Sequence, residues 1–377
     1  MKVVIAIDSF KGSLSSIKAN EAASKGVKEG CPQAETVLFP IADGGEGTVD
    51  ALVCSLNGER IETIVSNPLD KKIKCEYGII GGKTAVIEIA AAAGLPLLNE
   101  SERNPMFTTT YGVGEMIADA IKRGCREFII GLGGSATNDC GIGMLSALGF
   151  QFLDKFSNPV SLNGNGLKDI CEIKTENALK ELSQCNFKVA CDVKNPLCGE
   201  NGCSLIFGKQ KGGSHEDLVL MDKWMERYAE TVKKILPKSD KTAKGAGAAG
   251  GLGFAFVSFL GGKLVSGIDT ILEMIKIENE IKDADVIITG EGKLDSQSAM
   301  GKAPLGIASL SKKYNKPVIA FSGSCQEATS VLHTLGIDAF FSIVKSPCSL
   351  SDAMDEKNAY QNLKDSVEQV FRIISLK

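Results

Sequence analysis

Carboxylates and lysines in this 377-residue chain stand beside glycines at points where short apolar runs end. The carboxylates are Asp8, Asp43, Glu46, Asp139, Asp192, Glu291 and Asp295. Lysines such as Lys11 and Lys293 accompany them. Because carboxylates can hold Mg²⁺, lysines can neutralise phosphate and glycine loops can cradle it, this combination predicts phosphoryl transfer. One of the carboxylates could also accept the proton of the attacking hydroxyl.

Other reaction classes find little support in the residues. The two histidines, His215 and His333, lie outside any polar cluster, which argues against a serine hydrolase triad and a histidine-dependent dehydrogenase. The net charge of −4 offers no broad basic face for nucleic acid or acidic lipid, so we expect neither a nucleic-acid nor a membrane partner.

The segment GLGGSATNDCGIGML (131–145) follows an apolar run, and its glycines have three possible explanations. GLGGSA fits the dinucleotide fingerprint G-x-G-x-x-A, with Asp154 as the ribose ligand, which would indicate an NAD-dependent oxidoreductase. However, Asn138 and Asp139 come next, and a carboxylate repels a bare pyrophosphate unless a cation lies between them. A triphosphate carried with Mg²⁺ removes that repulsion, and we favour it. The glycines could also serve only the close packing of a strand on a helix.

Three further glycine segments carry different weight. GIIGGKT (78–84) lacks the first glycine of a P-loop, which Tyr77 replaces, so we interpret it as a turn between two strands. GAGAAGGLG (245–253) could form a nest of backbone N–H groups for an anion, or act as a hinge between domains. TGEGKLDSQSAMGKAP (289–304) follows the strand DVII, and its dense polar turn indicates a site rather than a solvated loop.

Short β-branched runs alternate with helical patterns along most of the chain, as in KVVIAID followed by SLSSIKANEAASKGVKEG. This alternation predicts an open α/β sheet of buried parallel strands, in which ligands bind at the carboxyl ends of the strands. Residues 60–100 alternate differently and predict antiparallel strands. We therefore expect an α/β fold in which a Rossmann- or flavodoxin-like three-layer domain, residues 1–65 and 285–377, carries an inserted mixed α/β domain, residues 66–284. The active-site cleft is expected between the two domains.

Several features favour a cytoplasmic protein. MKVVIAIDSF has a short apolar core that ends at an aspartate, which indicates a first strand rather than a secretory signal. The late apolar stretch LGFAFVSFLGG is far shorter than a membrane helix requires. The 12 cysteines are scattered, which favours reduced thiols, and the spacing of Cys191, Cys198 and Cys203 lacks the pairs of a structural zinc site.

Eight blocks, in one order, closely resemble the bacterial glycerate kinase family, which is unrelated to P-loop kinases. They are DSFKGSLSS (8–16), PIADGGEGT (40–48), TTYGVGE (109–115), GLGGSATNDCGIGML (131–145), ACDVKNPLCG (190–199), FGKQKG (207–212), GAGAAGGLG (245–253) and ITGEGKLDSQS (288–298). The resemblance implies ATP, Mg²⁺ and D-glycerate, with two α/β domains closing over a cleft. It implies 2-phosphoglycerate as the product, with 3-phosphoglycerate as the alternative.

The residue types and their places at the strand ends suggest where each role is expected in this chain, which we expect to be a monomer or a homodimer. The nucleotide is expected at Gly133, Gly134, Ser135, Asn138, Gly247 and Gly250. The metal is expected at Asp139 and Glu46. The substrate is expected at Ser9, Asp43, Gly44, Gly45, Glu291 and Asp295. The catalytic residues are expected to be Asp192, as the base, with Lys11 and Lys293. Any of the aspartates could instead cap a helix or a turn.

Overall fold

The computed structural model describes residues 1–294, 302–325 and 330–376. In these parts the chain divides into two compact units. Unit 1 comprises Met1–Asp43, Asp50–Asn57 and Ile268–Lys377, and unit 2 comprises Gly44–Val49 and Gly58–Gly267.

Strands and helices alternate in both units. The strands are β1 (Lys2–Ile7), β2 (Glu35–Leu38), β3 (Glu59–Ser66), β4 (Lys72–Ile80), β5 (Thr84–Glu88), β6 (Glu127–Gly131), β7 (Gln151–Leu153), β8 (Glu172–Lys174), β9 (Asn186–Ala190), β10 (Lys263–Val265), β11 (Val286–Leu294), β12 (Val318–Cys325) and β13 (Ala339–Ser342). The helices are α1 (Ser16–Gly30), α2 (Thr48–Ser55), α3 (Ala90–Ala93), α4 (Tyr111–Lys122), α5 (Ile142–Ala147), α6 (Cys203–Phe207), α7 (His215–Ile235), α8 (Ala248–Leu260), α9 (Gly267–Met274), α10 (Ile277–Asp283), α11 (Ala303–Lys312), α12 (Ser330–Thr334), α13 (Leu350–Met354) and α14 (Glu356–Ile374). Short 3₁₀ turns span Leu95–Leu97, Glu100–Glu102, Gly164–Lys168, Lys180–Gln184 and Lys209–Lys211. None of the helices in the described ranges combines the length and apolar composition needed to cross a membrane.

Unit 1 is built on a five-stranded sheet in the order β13-β12-β11-β1-β2, in which all neighbouring strands are parallel. β1 is buried almost throughout because its residues are apolar on both faces, as expected for a parallel strand covered by helices. Ser15 caps α1 by accepting a hydrogen bond from the backbone N–H of Lys18. Because the strands are parallel, their carboxyl ends lie along one edge of the sheet, and the polar turns that follow the strands lie there together.

Unit 2 is built on a six-stranded sheet in the order β10-β9-β6-β5-β4-β3. β5, β6, β9 and β10 are parallel, whereas β3, β4 and β5 are antiparallel neighbours, so the predicted antiparallel region is confirmed. Gly81 and Gly82 adopt positive φ between β4 and β5, which confirms the turn predicted in place of a P-loop. A separate two-stranded sheet pairs β7 with β8.

The predicted α/β class is confirmed, while the insertion of one domain into another stays a prediction. The predicted bounds differ from the two units at three places. Residues 44–49 lie in unit 2, although they were assigned to the first domain. β3 lies in unit 2, although the boundary at residue 65 assigned it to the first domain. Residues 268–284 lie in unit 1, although they were assigned to the second.

Helices α1 and α14 pack closely in unit 1 because glycines in α1 bring the two backbones together. A Cβ atom at Gly26 would lie 2.3 Å from the carbonyl oxygen of Lys364 and 2.9 Å from Cβ of Val367. Neither distance is possible for a real side chain, so the backbone of α14 would have to move.

Gly26→Ala tests this packing. In an open helix the change would stabilise the protein by about 0.5–1 kcal/mol, since alanine is the better helix former. Here we expect the free energy of unfolding to fall by about 1–3 kcal/mol because the added methyl group forces α14 outward. Urea unfolding measures the effect, and Lys28→Ala, at an exposed position of α1, is the control, with an expected change within about 0.5 kcal/mol. A more stable Gly26→Ala protein would contradict the close contact.

Candidate active site

A pocket of about 460 Å³ lies at the carboxyl edge of the sheet in unit 1. Four residues predicted from the sequence as site residues line it together: Ser9, Lys11, Glu291 and Lys293. Ser9 follows β1 and Glu291 and Lys293 belong to β11, so the parallel pairing of β1 with β11 brings them to one place. Lys302 supplies a third ammonium group to the wall. Asp295, also predicted here, lies outside the described residues.

Two serine hydroxyls in this pocket are buried and have no partner in the described part of the chain. The Oγ atoms of Ser9 and Ser13 have no hydrogen-bond partner among the described residues. An unpaired buried hydroxyl costs free energy, so native proteins normally satisfy it with protein, water or ligand. Together with the lysines, these two hydroxyls give the pocket donors suited to an anion that has several acceptor oxygens.

Asp8, at the end of β1, is the most strongly perturbed carboxyl group of the pocket. Asp8 is only 2% exposed, and its Oδ1 accepts a hydrogen bond from the backbone N–H of Ser9 at 2.6 Å. Burial, followed by the charge of Asp43, raises the pKa of Asp8 to about 8, against the opposing effects of Ser9 and Lys11. Lys11 also pairs with Asp43, at an Nζ–Oδ2 distance of 3.7 Å. Asp8 is therefore mostly protonated at neutral pH.

In unit 2 the predicted nucleotide loop, Gly133–Ser135, follows β6 at the carboxyl edge of the sheet. Gly134 is exposed and has a φ of +71°, Gly133 is half-buried, and Ser135 is 6% exposed. The backbone N–H of Leu95 donates to the carbonyl oxygen of Gly134 at 2.9 Å, which fixes the loop from one side. The loop thus presents its first residues to solvent and its last residue to the interior.

The predicted glycines Gly44 and Gly45 border this loop. A Cβ atom at Gly131 would lie 2.3 Å from the carbonyl oxygen of Gly44, and one at Gly133 would lie 3.0 Å from Cα of Gly45. Only glycine permits two backbones to approach this closely. The structure therefore places the segment that begins at Gly44 directly against the end of β6 within unit 2.

The remaining predicted residues of this edge are accessible. Asp192 is exposed just beyond the end of β9, and Glu46 is exposed in the segment that borders the loop. Asp43, by contrast, belongs to unit 1 and lies in its polar edge near Asp8 and Lys11. No group of three His, Cys, Asp or Glu side chains suited to a metal ion occurs in the described part of the chain.

The metal role predicted for Asp139 is wrong, because this carboxylate is fully buried and already used. Its oxygens accept hydrogen bonds from the backbone N–H of Thr110 at 2.9 Å, the Thr110 hydroxyl at 2.8 Å, and the backbone N–H groups of Gly141 and Gly143 at 3.0 and 3.3 Å. Burial raises the pKa of Asp139, while these donors act in the opposite direction. Thr110 and Gly141 precede α4 and α5, so Asp139 joins the amino ends of two helices, which is the capping role considered as its alternative.

Asn138 is likewise interior, which contradicts its predicted contact with the nucleotide. Its Nδ2 donates to the Ser204 hydroxyl at 2.9 Å, and the residue has no exposed surface. The segment from Ala136 to Leu145 is buried as a whole, so only the first part of the glycine-rich stretch can meet a ligand.

Gly247 and Gly250 also serve packing rather than ligand binding. The backbone N–H of Gly247 donates to the carbonyl oxygen of Asn195 at 3.0 Å, and a Cβ atom at Gly250 would lie 2.1 Å from the carbonyl oxygen of Thr137. Both glycines are buried. This contradicts the predicted role in cofactor binding, because both glycines are buried and the N–H of Gly247 already has a backbone partner.

The dinucleotide interpretation of GLGGSA does not fit the geometry. After β6 the chain is irregular until α5 begins at Ile142, so the glycines do not lead directly into a helix as the dinucleotide fingerprint requires. Asp154 accepts hydrogen bonds from the backbone N–H groups of Phe156 and Asn158 in an exposed turn beyond β7. It thus holds a turn of the small sheet and belongs to a different edge.

Lys211 is a polar residue of this region that was not among the predicted site residues. The residue is 3% exposed, and its Nζ donates to the Ser135 hydroxyl oxygen at 2.8 Å and to the carbonyl oxygen of Thr137 at 2.7 Å. Burial lowers the pKa of Lys211 to about 8. The sequence signal was weak, since the block FGKQKG shows a lysine between glycines but nothing about its burial.

Comparisons with known proteins agree with one another. A family model described as Glycerate kinase family matches residues 3–375. A glycerate 2-kinase of Escherichia coli (strain K12) is 45% identical over 364 residues, which cover 96% of this chain and 95% of that protein. A glycerate kinase of Haemophilus influenzae is 45% identical over 378 residues, and the match covers 100% of both chains. A solved structure of a protein provisionally assigned as glycerate kinase 2 from Salmonella typhimurium LT2 has a TM-score of 0.89 and 40% identity, covering 100% of this chain and 98% of that one.

Asp139→Asn tests the capping role. The asparagine amide would place a donor against backbone N–H groups, so we expect the free energy of unfolding to fall by about 1.5–3 kcal/mol. The loss should be equal with and without MgCl₂ in urea unfolding, because no metal is involved. Glu46→Gln, at an exposed position, should change stability by no more than about 0.5 kcal/mol. A loss seen only in the presence of Mg²⁺ would restore the metal role.

Proposed function

The chain belongs to the glycerate kinase family, an enzyme family, and on this premise we propose that it transfers the γ-phosphoryl group of ATP to D-glycerate. The resemblance inferred from the sequence blocks is thereby confirmed. We further propose that the products are ADP and 2-phosphoglycerate. The name of the Escherichia coli relative, a glycerate 2-kinase, supports this choice over 3-phosphoglycerate.

The unit 1 pocket is the observation that carries the proposal, with D-glycerate as its ligand. D-Glycerate offers a carboxylate and two hydroxyl groups, and the unpaired hydroxyls of Ser9 and Ser13 provide donors for such oxygens. The ammonium groups of Lys11, Lys293 and Lys302 balance the charge of the acid. The volume of about 460 Å³ exceeds what a three-carbon acid fills, which leaves room for the transferred phosphoryl group.

The triphosphate is assigned to the loop Gly133–Ser135. Its exposed Gly134 and half-buried Gly133 allow phosphate oxygens to approach the backbone closely. Its position at the carboxyl end of a parallel strand is where ligands bind in open α/β sheets. This proposed nucleotide site does not include Asn138, Gly247 and Gly250, because all three are buried.

Mg²⁺ fits this arrangement through few protein ligands. Mg²⁺ usually keeps several waters and is held by one or two carboxylates together with substrate phosphates, so a preformed three-residue cluster is not required. Glu46, exposed beside the loop, is the carboxylate proposed to hold it. When bound with the nucleotide, the ion neutralises charge that develops on the phosphate oxygens.

In the proposed reaction the oxygen of the C2 hydroxyl attacks the γ-phosphorus, and the bond from that phosphorus to the oxygen bridging to the β-phosphate breaks. The hydroxyl proton passes to a carboxylate. Asp192, exposed at the end of β9, is the base proposed from the sequence. Asp8 is the rival within the pocket, because a pKa of about 8 lies close to the pH range in which a general base works best.

A ³¹P spectrum of the reaction mixture tests the proposed activity and the position of phosphorylation together. With ATP, MgCl₂ and D-glycerate, we expect ADP and a phosphomonoester signal split by one proton, as for a phosphate on C2. Omitting D-glycerate should abolish both signals. A phosphomonoester split by two protons would indicate the 3-phosphate, and no ester at all would remove the proposed function.

Asp192→Asn and Asp8→Asn, compared across pH, identify the base. If Asp192 is the base, its variant should lose about 100-fold or more in turnover with the fold intact, because proton transfer contributes at least this much. An Asp8 base would give a different pattern. Its carboxyl is ionised only above its raised pKa, so turnover would rise as the pH approaches and passes about 8, and Asp8→Asn would abolish that rise. Near-normal turnover of Asp192→Asn would remove Asp192 from the role.

A further inference from the structure

Lys211 lies directly beneath the loop Gly133–Ser135, yet it cannot touch a ligand above it. The residue is 3% exposed, and its ammonium group donates hydrogen bonds to the Ser135 hydroxyl oxygen and to the carbonyl oxygen of Thr137. Both contacts have the lengths of good charge-assisted hydrogen bonds. Any influence of Lys211 on chemistry at the loop must therefore pass through these two partners.

The direction of the bond to Ser135 is fixed by chemistry. A lysine ammonium has donors only, so the Ser135 oxygen must be the acceptor. The hydrogen of the Ser135 hydroxyl then points away from Lys211, and no protein acceptor for it is found among the described residues. Ser135 is thus held as a donor whose own hydrogen is available to something else.

We propose that Lys211 is a positioning residue, which keeps the Ser135 hydroxyl turned to donate its hydrogen to a phosphate oxygen bound at the loop Gly133–Ser135. This inference rests on the proposed function, in that it takes the loop as the seat of the triphosphate. It adds a residue that the sequence blocks left without a role and states the atom through which that residue acts.

The charge of Lys211 supports the same assignment. Burial lowers its pKa to about 8, whereas Cys203 and Asp139 favour the charged form, so the ammonium state dominates at neutral pH. A charged donor also makes a stronger hydrogen bond to the Ser135 oxygen than a neutral amine would, and so holds that hydroxyl more firmly in one orientation. Burying an ammonium also costs free energy that an apolar side chain of similar size would avoid. A role toward an anion explains this cost, while packing alone does not.

Five variants measured for kcat/KM with ATP test the inference: Lys211→Met, Lys211→Arg, Ser135→Ala, the double variant Ser135→Ala/Lys211→Met, and Lys209→Met. We expect Lys211→Met and Ser135→Ala each to lower kcat/KM for ATP by about 10- to 100-fold, the effect of one hydrogen bond to a charged group. KM for D-glycerate should not change. Because Lys211 acts through Ser135, removing Lys211 from the Ser135→Ala protein should cost no more than about threefold.

The conservative variants and the control separate this role from plain structural support. Lys211→Arg keeps a cationic donor and should recover most of the activity lost in Lys211→Met. Lys209→Met, in the same 3₁₀ turn but exposed, should match the wild type. Losses that multiply in the double variant would overturn the inference, as would a folded Lys211→Met protein of full activity. If Lys211→Met does not fold, Ser135→Thr, which retains the hydroxyl, should remain active, and a fully active Ser135→Ala protein would overturn the inference.

Calorimetric titration with inorganic tripolyphosphate distinguishes this inference from the function on which it rests. The wild type should bind tripolyphosphate about 10- to 100-fold more tightly than Lys211→Met and Ser135→Ala. If this difference is found but no glycerate is phosphorylated, the proposed function fails and the inference stands. If glycerate is phosphorylated but all three proteins bind tripolyphosphate equally, the inference fails and the function stands.

Discussion

The irregular segment that follows β6 is buried, and its polar groups must find partners inside the protein. A buried backbone without helix or strand cannot satisfy its own N–H and C=O groups, so side chains and neighbouring segments must do so. Asp139 accepts four hydrogen bonds here, Lys211 donates to the carbonyl oxygen of Thr137, and Gly250 accepts from the N–H of Cys140. The loop Gly133–Ser135, of which Gly134 is exposed, is held in place by this interior network, so its geometry depends on residues that no ligand reaches.

Much of the fold follows from patterns that the sequence states openly. Local signals predicted the apolar strands β1 and β6 and the antiparallel strands β3 to β5. The structure contains all of these strands with the predicted pairing of β3 to β5. The grouping of Ser9, Lys11, Glu291 and Lys293 was also predictable, since the carboxyl ends of parallel strands share an edge. Unit boundaries were not, because β3 pairs with β4 across a turn and therefore follows its partner into unit 2.

The errors in the site have one physical origin. A sequence shows that Asn138, Asp139, Gly247 and Gly250 are of types that bind phosphate or metal, but those same types satisfy buried backbone and permit close packing. Whether such a residue binds a ligand or serves the interior depends on how deeply it is buried. That burial is set by residues distant in the chain, such as Thr110 for Asp139 and Thr137 for Gly250. Lys211 is the opposite case. A lysine beside glycines suggests an exposed side chain, but the structure buries Lys211 beneath Ser135, and only this burial indicates a role at the loop.

The balance of charge in the unit 1 pocket links binding to catalysis. Were Asp8, Asp43 and Glu291 all ionised, three carboxylates would oppose the attraction of Lys11, Lys293 and Lys302 for an anionic acid. The pKa of about 8 leaves Asp8 largely neutral at neutral pH, so it does not oppose the attraction of the three lysines in the described part of the pocket. A base, however, must be ionised, so binding and proton abstraction make opposite demands on Asp8. The proposed base Asp192, on a different strand end, would allow Asp8 to stay protonated and would remove this conflict.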